Sequence, residues 1–109
     1  MDCIFCKIAK HEIPKKFSYE DKFIMAFPDI NPIAPIHILV MPKKHTKDFV
    51  DFKDSSGLEK VKDVIQEIVR DQKLENRGYR IVINGGGVQI IDHLHFHLIG
   101  PLGKAVKME

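Results

Sequence analysis

From residue 58 the chain repeats apolar side chains at spacings of three and four: Leu58, Val61, Val64, Ile65, Ile68 and Val69. That spacing draws a single stripe along a helix, and a helix packed on a sheet is the expectation. Ser56 with Glu59 three residues later reads as a capping box at its start, and Asn76-Arg77-Gly78 reads as its end. The other apolar runs are short. Ile36 to Met41 reads as a buried strand that Pro42 stops. Lys16 to Tyr19 and Phe23 to Phe27 read as two strands joined by the turn Glu20-Asp21-Lys22. Tyr79 to Ile83 and Asp92 to Ile99 complete the set, with Asn84-Gly85-Gly86-Gly87 as the loop between them. Residues 4–10 can form a short helix, and the proline-rich stretch Pro28 to Pro35 a stiff, extended loop. The order β-β-β-α-β-β predicts an α+β fold. It is a five-stranded antiparallel sheet with one long helix on one face and a short N-terminal helix.

Composition bounds the rest. The 109 residues suit one domain, 1–109, with a single modest core. Lys plus Arg (17) barely exceeds Asp plus Glu (15), so no broad basic footprint argues for nucleic acid. No apolar stretch approaches the ~20 residues of a membrane span. Met1 to Lys7 lacks a basic leader ahead of a long apolar core, so no secretory signal and a cytoplasmic home are expected.

His93, His95 and His97 stand at alternate positions in His93-Leu94-His95-Phe96-His97-Leu98-Ile99. On a strand this puts three imidazoles on one face, while Leu94, Phe96 and Leu98 cover a core on the other. Imidazole is a neutral nucleophile, a proton carrier and a metal ligand near pH 7. The same cluster is also compatible with an exposed histidine-rich strand. A third possibility is a metal-binding face with metal-activated water as the attacker.

Other positions carry weaker signals. Cys3 and Cys6 form a C-x-x-C pair, compatible with redox chemistry or with zinc completed by two further ligands. Gly85-Gly86-Gly87 reads either as a flexible hairpin loop or as a cradle of backbone amides for an anion, with Asn84 and Gln89 beside it. His37 in an apolar strand and His45 after Pro42-Lys43-Lys44 read as a bonded core residue and a loop residue; His11 reads as surface. Asp29 sits where a carboxylate could accept sugar hydroxyls or simply cap its own turn.

Taken together, His93 to Ile99 resembles the signature of the histidine triad (HIT) family. Cys3 to Ile8, Ala26 to Ile30 and His37 to His45 agree with it in the family's order, closest to the zinc-containing, phosphoramidase-like branch. The resemblance implies a nucleotide-binding hydrolase that cleaves purine nucleoside 5′-phosphoramidates through a nucleotidyl-histidine. His95 would attack phosphorus, His97 would contact the phosphate and leaving group, and His37 would complete the catalytic set as support. Asn84 and Gln89 would hold phosphate oxygens, Asp29 the ribose, and Phe5, Ile8, Ile13 and Ile30 the base. Cys3, Cys6, His45 and His93 would bind a structural zinc, and two chains would pair as a homodimer. A small sheet with an exposed edge near Tyr79 to Ile83 would gain by such pairing.

This chain also departs from the family pattern. Ile90 stands where Ser or Thr is usual, Val88 where Gly is usual, and Asp92 where an aromatic residue is common. The loop from Asn84 to His93 is short, and Gly100 to Lys104 lacks the Gly-Gly-Arg and Trp-Pro-Pro tail. These changes leave two alternatives: a slow or non-catalytic nucleotide-binding HIT protein, and a dinucleoside polyphosphate hydrolase.

Overall fold

The computed structural model describes residues 3–103; Met1, Asp2 and the tail residue Lys104 lie outside them. Two helices, one 3-10 turn and five strands follow one another. They are α1 (Ile4–Ala9), β1 (Tyr19–Glu20), β2 (Ile24–Pro28), β3 (Ile36–Pro42), the turn Phe49–Asp51, α2 (Ser55–Asp71), β4 (Arg80–Ile83) and β5 (Phe96–Gly100). The sheet runs β1-β2-β3-β5-β4, antiparallel at every pairing, as the α+β expectation requires. No helix among the described residues is long and apolar enough to cross a membrane.

Alternation along the central strands builds two cores. Ile24, Ala26, Ile38, Val40, Phe96 and Leu98 face α2 and meet Val61, Val64, Ile65, Ile68 and Val69 of its stripe. Met25, Phe27, Leu39 and Met41 face the other way and are covered by Phe5 and Ile8 of α1, with Cys3 beside them. Both faces of β2 and β3 are therefore buried, which is why they read as continuous apolar runs. Leu58, at the open end of the stripe, remains 40% exposed.

Four boundaries differ from the sequence reading by more than one residue. The first strand is Tyr19–Glu20 rather than Lys16 to Tyr19, because its ladder with β2 begins at the Tyr19–Ala26 pair. Asp54, not Ser56, caps α2: its carboxylate accepts from Gly57 N at 3.0 Å and from Ser56 Oγ at 2.8 Å. The helix ends at Asp71 rather than at Asn76 to Gly78. Lys73 turns left-handed at φ 57°, and Leu74 folds back into the core. The last strand starts at Phe96 rather than Asp92. Continuing the Val40–Phe96 register would pair Leu94 with Pro42, which has no N–H to donate. Leu94 N donates to Thr46 O instead, at 2.6 Å.

Candidate active site and metal centre

Although β5 proper holds only His97, the alternation extends back through the triad: Leu94 and Phe96 enter the α2 core, and the three histidines lie on the opposite side. There they diverge into three environments, which a single shared ion could not produce. The metal-hydrolase reading of the triad therefore fails on geometry.

His93 is fully buried. Its Nε2 lies 2.8 Å from the carbonyl oxygen of Pro42, which can only accept, so Nε2 carries the proton and Nδ1 a lone pair. That lone pair faces Cys3 Sγ at 3.4 Å and Cys6 Sγ at 3.6 Å. Cys6 Sγ is also 3.4 Å from His45 Nδ1. Burial pushes the His93 pKa down, keeping the ring neutral. Burial and the neighbouring Cys3 push the Cys6 thiol up, a penalty that a divalent cation between the four atoms would reverse. For zinc bonds of about 2.3 Å to sulfur and about 2.05 Å to nitrogen, a tetrahedron has an S···N edge of about 3.6 Å. The observed separations match that edge, and the donor set fits zinc. Four protein ligands would leave no open position, so an ion there cannot activate water.

His95 is buried, with Nδ1 2.8 Å from the carbonyl oxygen of His93. Nδ1 therefore donates, and Nε2 is left with a free lone pair. Phe5 stands edge-on to both rings, with centroids 5.7 Å from His93 and 5.2 Å from His95. Residue 93 thus serves two ends of the site, its ring facing the thiols and its carbonyl orienting the next imidazole.

His97 lies beside His95, with ring centroids 4.9 Å apart. In the β3–β5 register Leu39 opposes His97 and His37 opposes Ile99, so the two histidines are diagonal neighbours on one face. His37 Nε2 is 2.9 Å from His97 Nδ1, and Ile33 N donates to His37 Nδ1 at 3.2 Å. The Asp29 carboxylate lies 3.3 Å from His37 Nε2 and accepts from Asn31 N at 2.8 Å. Asp29, His37 and His97 also cluster closely enough to suggest an ion. At 2.9 Å, however, the two imidazoles are nearer than the N···N edge of about 3.3 Å in a zinc tetrahedron. The contact is a hydrogen bond. Burial, and to a smaller extent the rings of His95 and His37, bring the His97 pKa down to about 4.

The glycine loop corrects the anion-cradle reading. Gly86 N donates to Asp48 Oδ2 at 2.9 Å, and Gly87 N to Gln89 Oε1 at 2.9 Å. Two of its amides are therefore already bonded within the chain, one of them to a carboxylate that would repel phosphate. Gly86 and Gly87 adopt φ of +68° and +96°, which explains glycine at both positions. Gln89 is buried and its Nε2 donates to Lys47 O at 3.2 Å, so its amide braces the loop. Asn84 is half-buried. Among the residues expected at the base, Phe5 and Ile8 are buried against the sheet, Ile13 packs at that core's margin, and Ile30 is 82% exposed. Ile90 is 97% exposed. His11 lies on the surface, 2.7 Å from Glu20.

Comparison with known proteins now decides the family: the HIT domain model matches residues 10–103. The chain belongs to the HIT family. A 14 kDa zinc-binding protein of Zea mays is 42% identical to it, over 89% of this chain and 80% of that protein. The crystal structure of a HIT family hydrolase from Legionella pneumophila superposes with a TM-score of 0.88 at 42% identity, covering 94% of this chain and 95% of that one. A histidine triad protein from Clostridium difficile gives 0.89 at 42% identity, covering 100% and 97%.

Sequence reasoning missed Asp48, Pro42 and Ile33. Two of the three act through backbone groups, which every residue carries, and so leave no sequence signal. The Asp48–Gly86 bond spans 38 residues, beyond any local pattern.

Proposed function

We propose that this HIT protein is a hydrolase of purine nucleoside 5′-phosphoramidates that works through a nucleotidyl-histidine. One observation carries the reading: His95 presents a lone pair on Nε2 because Nδ1 is committed to the His93 carbonyl. In this scheme Nε2 bonds to the α-phosphorus as the phosphorus–amine bond breaks, and the departing amine takes up a proton from solvent. Water then attacks the same phosphorus, the P–Nε2 bond breaks, and AMP leaves with His95 restored. Splitting one hard displacement into two easier ones is the gain of covalent catalysis. His97 steadies the charge that develops on the phosphate, and His37 supports His97. Asp29 takes the ribose, Asn84 and Gln89 border the phosphate, and Phe5, Ile8, Ile13 and Ile30 form the base side.

Cys3, Cys6, His45 and His93 hold one zinc ion in a structural role, tying the N-terminus to the triad segment. The zinc-binding maize relative supports this beside the donor geometry. The whole chain acts as one HIT domain in the cytoplasm, where thiols stay reduced. Two copies pair along β4. That strand is a sheet edge, and Leu58, Tyr79 and Ile81 line an apolar groove of about 450 Å³ between it and α2.

A slower, binding-dominated role is the second reading, favoured by Ile90 in place of a hydroxyl and by the bonded glycine-loop amides. Quenched-turnover mass spectrometry on a panel of an adenosine phosphoramidate, AMP and a diadenosine polyphosphate tests these readings together. A nucleotide adduct with the phosphoramidate supports the first reading. AMP binding without any adduct supports the second, and preferred cleavage of the polyphosphate replaces the substrate class.

A further inference from the structure

Two contacts in line connect the proline-rich loop to the third histidine of the triad. Ile33 N donates to His37 Nδ1 at 3.2 Å, and His37 Nε2 lies 2.9 Å from His97 Nδ1. A backbone amide can only donate, so His37 Nδ1 must present its lone pair to it. His37 then carries its single proton on Nε2. The Asp29 carboxylate, 3.3 Å from that nitrogen, favours the proton there as well. Reversing the direction would set two donors against each other at Ile33 and a lone pair against a carboxylate at Asp29.

We propose that the Ile33 amide sets the tautomer of His97 through His37, so that His97 accepts at Nδ1 and keeps its proton on Nε2. Ile33 and His37 are positioning residues; His97 is the group that meets the ligand. The loop is built to hold the amide still. Pro32 and Pro35 frame it, and Asp29 closes its turn by accepting from Asn31 N at 2.8 Å. The outcome is a matched pair. His95 offers a lone pair on Nε2, while its neighbour His97 offers an N–H on Nε2. A nucleophile and a donor for the developing phosphoryl charge then stand side by side, and both are fixed before a ligand arrives. The low pKa of His97 agrees, since an acceptor role at Nδ1 requires a neutral ring.

The catalytic meaning rests on the function proposed above; the tautomer itself does not. Long-range ¹H–¹⁵N correlation spectra of the full-length protein read it directly. His97 is expected to show a bare Nδ1 and a protonated Nε2. In His37→Phe the His97 signals should move toward a mixture of tautomers. His37→Gln, whose amide can donate from the same place, should restore them. With the phosphoramidate, His37→Phe should lose about tenfold or more in kcat, the worth of one hydrogen bond, with KM nearly unchanged, and His37→Gln should recover part of it. A proton on Nδ1 of wild-type His97 overturns the proposal, as does an unchanged tautomer in His37→Phe. If that variant does not fold, the wild-type spectrum decides alone. If the wild type does not turn over, the proposed function fails while the spectrum still decides the relay.

Discussion

His95 Nδ1 lies 2.8 Å from the carbonyl oxygen of His93, two residues earlier in the chain. This bond puts the ring proton on Nδ1 and leaves the Nε2 lone pair that the proposed attack on phosphorus requires. Replacing the ring removes the nucleophile but leaves the surrounding pocket. His95→Ala should therefore release no AMP from an adenosine phosphoramidate, while AMP affinity changes by less than about tenfold. Calorimetry measures the second quantity and chromatography the first. Full turnover by this variant would end the covalent scheme.

The separations among Cys3, Cys6, His45 and His93 lead to a metal prediction. Protein purified without chelators should contain one zinc per chain by elemental analysis. Removing it should lower the melting temperature, because binding free energy in such a site is also folding free energy. Cys3→Ser should weaken retention of the ion and expose Cys6 to thiol reagents. Metal-free protein with two freely reactive thiols would refute the site.

Much of this was legible in the chain, and the reasons are local. Continuous apolar runs mark β2 and β3, because consecutive side chains must enter two different cores. Alternation revealed the triad. The helix start was ambiguous because Asp54, Ser55 and Ser56 all suit a cap. The Glu59 spacing pointed to Ser56, but the Asp54 carboxylate accepts two bonds at once. The strand start at Phe96 was hidden because it depends on Pro42 arriving opposite residue 94, a consequence of register rather than of local sequence. The partners that fix each imidazole were hidden for a related reason: the Pro42 and His93 carbonyls and the Ile33 amide are backbone groups, identical at almost every position.

The depressed pKa of His97 makes a signed prediction about pH. Between about 4 and 6.5 the unfolded chain binds a proton on this ring that the folded chain does not. Stability therefore rises with pH across that window and is lost as pH falls from about 6.5 toward about 4. Above the window His97 contributes no pH dependence. Urea midpoints at several pH values should fall more steeply on acidification for the wild type than for His97→Gln. The difference isolates this ring from the metal ligands, which are present in both proteins. Equal slopes would mean that His97 is not buried as a neutral group.

Asp48 and the glycine loop allow a sharper test, because one carboxylate serves two neighbours. Its Oδ2 accepts from Gly86 N at 2.9 Å, while a Cβ added at Gly85 would stand 2.5 Å from Oδ1. Gly85→Ala cannot be accommodated unless the carboxylate swings away, and swinging breaks the bond to Gly86. The expected cost is that bond, about 1 kcal/mol. Asp48→Ala should cost a similar amount by the same loss. Once the carboxylate is gone, alanine at position 85 meets no obstacle, so the double variant should be little less stable than Asp48→Ala alone. Urea unfolding of the four proteins gives a coupling energy of about 1 kcal/mol if the two substitutions remove the same contact. Simple additivity would show that the carboxylate does not hold the loop. The amide of Gly86 would then be free for an anion, and the cradle reading of this loop would return at that position.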